Sequence, residues 1–355
     1  MAFYISLVAI FLVFATIVKL GIPDKQRQER IILNVSMLAL FLVFSLKHEQ
    51  VGTDIIGYKE MYNLAFIQVW GDWEYVYFET GYLILSTLFS KLGLDFQVFM
   101  AVYYFLFCTA VYQLIKRYSP DVTMSILLFI CYQFFVFALS AVRQTFAMSI
   151  CVFAFFLWLK PKKRHKLLAL LLIAVAMSFH QSAVIFFVIP ILTLLKPRLN
   201  ILYWVAGGTL LILIRPLIWR LVSFLYDKNE TDVSLGNNFI LWIGISVFAV
   251  FTYLMKDFDN PELDEDTAKK DTLALRMILI CLIFQVIFSG SGLLRANMFY
   301  TLFLVPFFPR FVEKYEDRFK IIINFLVGAF LIYFFYSEAL APNQLNMIPY
   351  RLFWK

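Results

Sequence analysis

The run Leu139-Ser140-Ala141-Val142-Arg143-Gln144 decides the reading of this chain. It joins two stretches, 122–139 and 144–159, that are hydrophobic enough to sit in lipid, yet it carries an arginine. Two further interruptions have the same character: Ser178-Phe179-His180-Gln181-Ser182 and Gly292-Leu293-Leu294-Arg295-Ala296-Asn297. An arginine inside a bilayer costs about 2.5–3.5 kcal/mol on insertion scales. A chain does not carry such a cost repeatedly unless the groups face a polar cavity. The breaks are therefore where function is sought, and the apolar stretches around them set the fold.

Hydrophobic residues make up 62% of the 355 and charged ones 15%, with a mean hydropathy of +0.79. This is a polytopic membrane composition. A bilayer core takes roughly 20 apolar residues per helix. Apolar helices are expected near 3–20, 31–46, 96–115, 122–139, 144–159, 167–179, 183–195, 200–220, 239–255, 272–289, 297–311 and 320–336. The expected fold is all-α, with about 12 transmembrane helices. Residues 79–92 make a helix too short to span, read as re-entrant or interfacial. No polar segment is long enough for a separate soluble domain, so 1–355 reads as a single multi-spanning membrane domain. Residues 1–20 lack a basic start and a small-x-small cleavage site, which favours a retained first helix over a signal peptide.

The net charge of +7 does not indicate nucleic-acid binding, because the basic residues sit in short loops such as 160–166. The same residues set the topology. Lys25/Arg27/Arg30, Lys116/Arg117, residues 160–166, Lys196/Arg198, Lys269/Lys270 and Lys314/Arg318/Lys320 all become cytoplasmic if both termini lie outside. The loop 47–78 and the breaks at 140–144, 178–182 and 290–297 then fall together at the outer face. That loop carries Trp70, Trp73, Tyr75 and Tyr77, a composition that suits stacking on sugar rings and equally suits an interfacial belt.

Several residues in these elements have useful chemistry. Ser140, Arg143 and Gln144 share a helix face, and the planar fork of Arg143 matches phosphate oxygens. Arg295 occupies a similar place on another helix, and Arg215 before Pro216 is a weaker third candidate. A snorkelling anchor is the alternative for each. His180 falls between two apolar halves, where its ordinary pKa permits general-base work or a structural role. Asp54 and Glu79 are the outer-face carboxylates, each near a glycine, and Tyr58 follows Asp54 by one helical turn. Either carboxylate reads as a base, a cap or a surface charge.

No metal is expected. There are three histidines, and no His-x-x-x-His spacing. The Asp-x-Asp runs at 257–259 and 264–266 read as solvated charge in a cytoplasmic loop. The four cysteines lie in apolar runs without ligand spacing. No glycine-rich phosphate loop is present, and no cofactor is expected.

The set Val51-Gly52-Thr53-Asp54 with Tyr58, Glu79-x-Gly81-Tyr82, Ser140-x-x-Arg143-Gln144, Phe179-His180-x-Ser182-Ala183, Arg295 with Tyr300, and Pro349-Tyr350 resembles the EpsG family of bacterial exopolysaccharide proteins, related in role to Wzy-type polymerases. The matches run in order over nearly the whole chain. In one departure, Lys47-His48 stands where the family commonly carries an arginine, so the charge is kept without the bidentate fork.

The resemblance implies a glycosyltransferase-C-like enzyme of the bacterial cytoplasmic membrane, acting at the outer face on undecaprenyl-diphosphate-linked oligosaccharide. The expected activity is polymerisation of repeat units for exopolysaccharide, capsule or O-antigen. The expected base is one of Asp54, His180 or Glu79. Substrate would be held by Arg143, Arg295, Gln144, Tyr58, Lys47 and Arg215, within membrane lipid. A chain-length regulator is an optional further partner, and nucleic acid is not one. Two alternatives stay open: a flippase for the same lipid-linked sugar, and a single-addition transferase or ligase.

Overall fold

The structure is a computed structural model that describes residues 1–67, 78–190, 265–288 and 292–354, with a few positions between 210 and 220. The expected helices at 200–220 and 239–255 and the second half of 183–195 lie largely or wholly outside the described residues. So do the four loop aromatics Trp70, Trp73, Tyr75 and Tyr77, Arg215 and the Asp-x-Asp runs. The chain divides into two compact units, Met1–Phe187 with Phe308–Lys355, and Val188–Phe307.

The described residues of the first unit are mainly helical. Its elements are α1 (Ala2–Gly21), α2 (Lys25–Ser45), α3 (Ile55–Ile67), α4 (Thr80–Lys91), α5 (Phe96–Tyr118), α6 (Val122–Cys131), α7 (Phe134–Ser140), α8 (Val142–Trp158) and α9 (Lys163–Met177). A 3-10 segment, Gln181–Val188, the helix Asp317–Phe334 and a π-helical turn, Phe335–Leu340, follow. Among the described residues, four helices are long and apolar enough to cross a membrane, or five if the bent pair α6–α7 is one span. Outward-facing Ile10, Leu20, Phe105, Leu171, Ile321 and Phe325 are exposed, as lipid-facing positions are. The buried face is largely aromatic, with Phe44 stacked on Tyr104 at 5.1 Å.

Two expectations change. The helix expected at 122–139 breaks after Cys131 and bends by 49°. Gln133 takes a left-handed φ of 44° there, which no helix interior accommodates. Part of the expected 47–78 loop is the helix α3, packed on α4. Its polar residues Lys59, Glu60 and Asn63 and its Gly57 dilute any membrane-like signal.

Caps and ties hold the basic end of this unit. Asp24 accepts from the Gln26 N–H at 3.0 Å, starting α2. Asp121 accepts from the Met124 N–H at 3.1 Å, starting α6. The Glu29 carboxylate takes the Val122 N–H at 2.7 Å and ties α2 to α6. Arg117 lies over the Phe156 ring at 4.1 Å, so the ends of α5 and α8 meet here. Antiparallel succession then puts 46–54, 78–82, 139–143 and 178–182 at the opposite end.

The second unit has the helix Glu265–Phe288, the 3-10 turn Gly292–Asn297 and the short helix Met298–Thr301. The Asn297 amide donates to the Cys281 carbonyl at 3.1 Å, and Phe284 stacks on Tyr300 at 5.3 Å. The helix expected at 297–311 is broken into Met298–Thr301 and Leu304–Val312.

Candidate active site

The turn 51–54 is fixed by a close backbone approach. Gly52 has φ +106°, and a Cβ there would lie 2.2 Å from the Leu139 carbonyl oxygen. Ser140 follows directly and takes hold of the next two residues. The Asp54 N–H donates to Ser140 Oγ at 3.3 Å, and the Ser140 and Thr53 hydroxyls are 2.8 Å apart. Thr53 Oγ1 donates to Asp54 Oδ1 at 3.1 Å. These bonds fix one another's sense: with its own proton committed to the carboxylate, Thr53 accepts from Ser140. The result is a closed ring, Asp54 N–H to Ser140, Ser140 to Thr53, Thr53 to the Asp54 carboxylate. It holds Asp54 at the start of α3, where its carbonyl accepts from the Tyr58 N–H at 3.2 Å.

Lys47 braces this turn from inside. It is buried beyond the end of α2, with Nζ donating to the Val51 carbonyl at 2.7 Å and lying 6.0 Å from the Tyr104 ring centre. Burial pushes its pKa down to about 7.

The C-terminal segment braces the same turn from outside. Leu352 forms an antiparallel bridge with Lys47. The His48 N–H donates to the Arg351 carbonyl at 2.8 Å, and the Gly52 N–H donates to the Asn346 carbonyl at 3.2 Å. Tyr350 donates to the Val43 carbonyl at 2.8 Å and stacks on Phe3 at 3.9 Å.

Arg143, in the first turn of α8, forms an ion pair with Glu79. Its guanidinium carbon lies 4.4 Å from the centre of the Phe78 ring, 5.3 Å from that of Tyr58 and 5.9 Å from that of Tyr82. The buried Nε of Arg143 has no acceptor among the described residues. The Tyr82 hydroxyl donates to the Tyr58 carbonyl at 2.9 Å, locking α4 to α3. Burial raises the Tyr58 pKa; Arg143 opposes the shift, and the Asp54 and Glu79 charges add to it. The three charged candidates thus gather around one phenol.

The break at 178–182 docks on this cluster through Gly81. Its N–H donates to the Ser178 carbonyl at 2.6 Å, and a Cβ on Gly81 would lie 2.4 Å from Ser178 Oγ. Phe179 packs on Phe146 at 4.7 Å, and Phe146 on Tyr103 at 4.1 Å. His180 Nδ1 accepts from the Ser182 N–H at 3.3 Å. In the neutral ring this leaves the proton on Nε2, which is then a donor.

The structure therefore brings together Lys47, Asp54, Tyr58, Glu79 and Arg143. It puts His180 two residues beyond the Gly81 contact and buries Gln144 beside Arg143 on α8. Arg295 belongs to the other unit, exposed on its 3-10 turn. Sequence reasoning missed Phe78, the Thr53 hydroxyl and the bracing by residues 343–353. Pro349-Tyr350 was the signal for that bracing.

No curated protein and no solved structure matches the chain. The elements that meet in this cluster begin at Lys47 and end at the Leu352 bridge, and the model of the EpsG family matches residues 30–352, a stretch that contains them all. The chain belongs to the EpsG family.

Proposed function

We propose that this protein is a membrane glycosyltransferase of exopolysaccharide biosynthesis that polymerises lipid-linked oligosaccharide repeat units. The reading includes about twelve spans in a glycosyltransferase-C-like arrangement, in the bacterial cytoplasmic membrane, with the charged cluster at the outer face. The donor is a glycan on undecaprenyl diphosphate. The acceptor is the terminal hydroxyl of the next lipid-linked repeat, whose oxygen attacks the anomeric carbon. The bond from that carbon to the diphosphate breaks, and undecaprenyl diphosphate leaves with the electron pair. Arg143 binds the diphosphate and stabilises the charge that develops on it.

The observation that carries this reading is the asymmetry between the two carboxylates. The Glu79 carboxylate is held by its ion pair with Arg143 and makes no capping bond to α4, so it has no fixed position of its own once that pair opens. Asp54 forms no ion pair among the described residues and is held by the Ser140–Thr53 ring. A base needs a fixed position and a free lone pair, so Asp54 takes the acceptor's proton. His180, whose Nδ1 accepts from the Ser182 N–H, is not the base in this reading.

The test is polymerisation by purified protein with a lipid-linked repeat. Asp54→Asn should bind the substrate at parental affinity yet extend it at least about 100-fold more slowly, the typical contribution of a positioned base. His180→Ala should keep a larger share of the rate. Parental chain extension by Asp54→Asn would refute the assignment. A single added unit in place of a ladder would move the protein to the single-addition class.

A further inference from the structure

We infer that Glu79 is a built-in competitor for the diphosphate: its carboxylate occupies the anion site of Arg143 and is exchanged for substrate phosphate in every turnover. The inference rests on the proposed role of Arg143.

A guanidinium among three aromatic rings, with Nε buried and unpartnered, is poorly hydrated and strongly attracted to any anion that reaches it. In the structure that anion is Glu79. The pair remains reachable: the side chains of Arg143 and Glu79 are 19% and 16% exposed. Glu79 is also built to move without unfolding its surroundings. It precedes α4 as an extended residue, and its side chain makes no capping bond to that helix. The fixed points nearby are its neighbours, Gly81 on Ser178 and Tyr82 on Tyr58.

Both groups that seek Arg143 present negative oxygens, so only one fills the contact at a time. A diphosphate offers more oxygens and more charge than a carboxylate and therefore displaces it. The displaced Glu79 remains beside the bound anion and repels it. The same carboxylate that opposes entry thus favours exit. After transfer the leaving polyprenyl diphosphate sits on Arg143, and the return of Glu79 expels it. A site without this exchange would hold its own product.

The experiment titrates purified full-length protein in detergent with farnesyl diphosphate, a short polyprenyl diphosphate, using calorimetry. It compares the parent with Glu79→Gln, Glu79→Asp and Arg143→Gln. Removing the competitor should tighten binding roughly two- to fivefold in Glu79→Gln, the free energy typical of a solvent-reachable ion pair. Glu79→Asp, whose carboxylate is one methylene shorter, should show a smaller gain, and it serves if the Gln variant does not fold. Arg143→Gln should lose binding.

Equal or weaker binding by both Glu79 variants, with the parent binding well, overturns the inference and leaves Arg143 as the diphosphate ligand. Undiminished binding by Arg143→Gln overturns the role of Arg143 and the inference with it. A kinetic readout separates competition from simple support of the fold. Added farnesyl diphosphate should inhibit Glu79→Gln at lower concentration than it inhibits the parent.

Discussion

Two glycines at the site are fixed by what lies against them. At Gly52 a methyl group would meet the Leu139 carbonyl at 2.2 Å, on a backbone with φ +106°. At Gly81 it would meet the Ser178 carbonyl oxygen at 2.7 Å. Alanine at either position should cost roughly 1–3 kcal/mol or more, read as a lower melting temperature in detergent. Gly57 has nothing within 4 Å of its would-be Cβ and lies inside α3. Gly57→Ala should therefore raise stability by up to about 1 kcal/mol. Lys47 adds a pH signature at the same scale. Its pKa is about 7 in the folded protein and about 10.4 in the unfolded chain. Between these values the unfolded state binds more protons, so stability rises with pH. Relative to Lys47→Met, the parent should gain about 1 kcal/mol per pH unit between pH 7 and 9, measured by thermal unfolding across that range. An unchanged difference between the two proteins would mean that Lys47 stays fully charged when folded.

Among the elements, the C-terminal segment holds the 46–52 stretch by main-chain bonds, and these are individually testable. Tyr350→Ala removes both the bond to Val43 and the stack on Phe3. Hydrogen exchange should then quicken at the His48 and Gly52 amides, which donate to Arg351 and Asn346. The Asp54 amide, held by Ser140, should keep its protection. Equal acceleration at all three would mean that the turn has no support of its own. The elements also show what a sequence reveals. The polar breaks at 140–144 and 178–182 were legible because a charge among apolar residues is expensive, and the expense marks the place. The same cost gave away Arg143, whereas Asp54 and Glu79 stood out as outer-face carboxylates near glycines. The ion pair between two of them was not legible, because its partners lie 64 residues apart and leave no periodic trace. The bend at Gln133 was hidden for a different reason: no proline or glycine marks it. Helix α3 escaped notice because its core-facing Tyr58, Met61 and Tyr62 alternate with polar residues, as in a soluble helix.

For the whole molecule the decisive question is which end faces outward. The four native cysteines are all buried, so a cysteine-substituted chain starts from a quiet background. Lys163→Cys, at the basic end, should resist an impermeant thiol reagent in intact cells. Gln344→Cys, exposed beside the turn that carries Asp54, should label. The reverse pattern would put the cluster inside and refute outer-face polymerisation. The bracing of that turn also has a consequence for biogenesis. Gln50 and its partner Arg351 are separated by 301 residues. At roughly 5–20 residues per second of synthesis, the stretch that positions Asp54 waits about 15–60 s for the strand that completes it. Throughout that interval α2 and the charged residues after it have already been made, while the turn lacks its outer wall. A ribosome that stalls late thus leaves a chain whose helices are made and whose turn at 51–54 still lacks the brace that residues 346–352 supply.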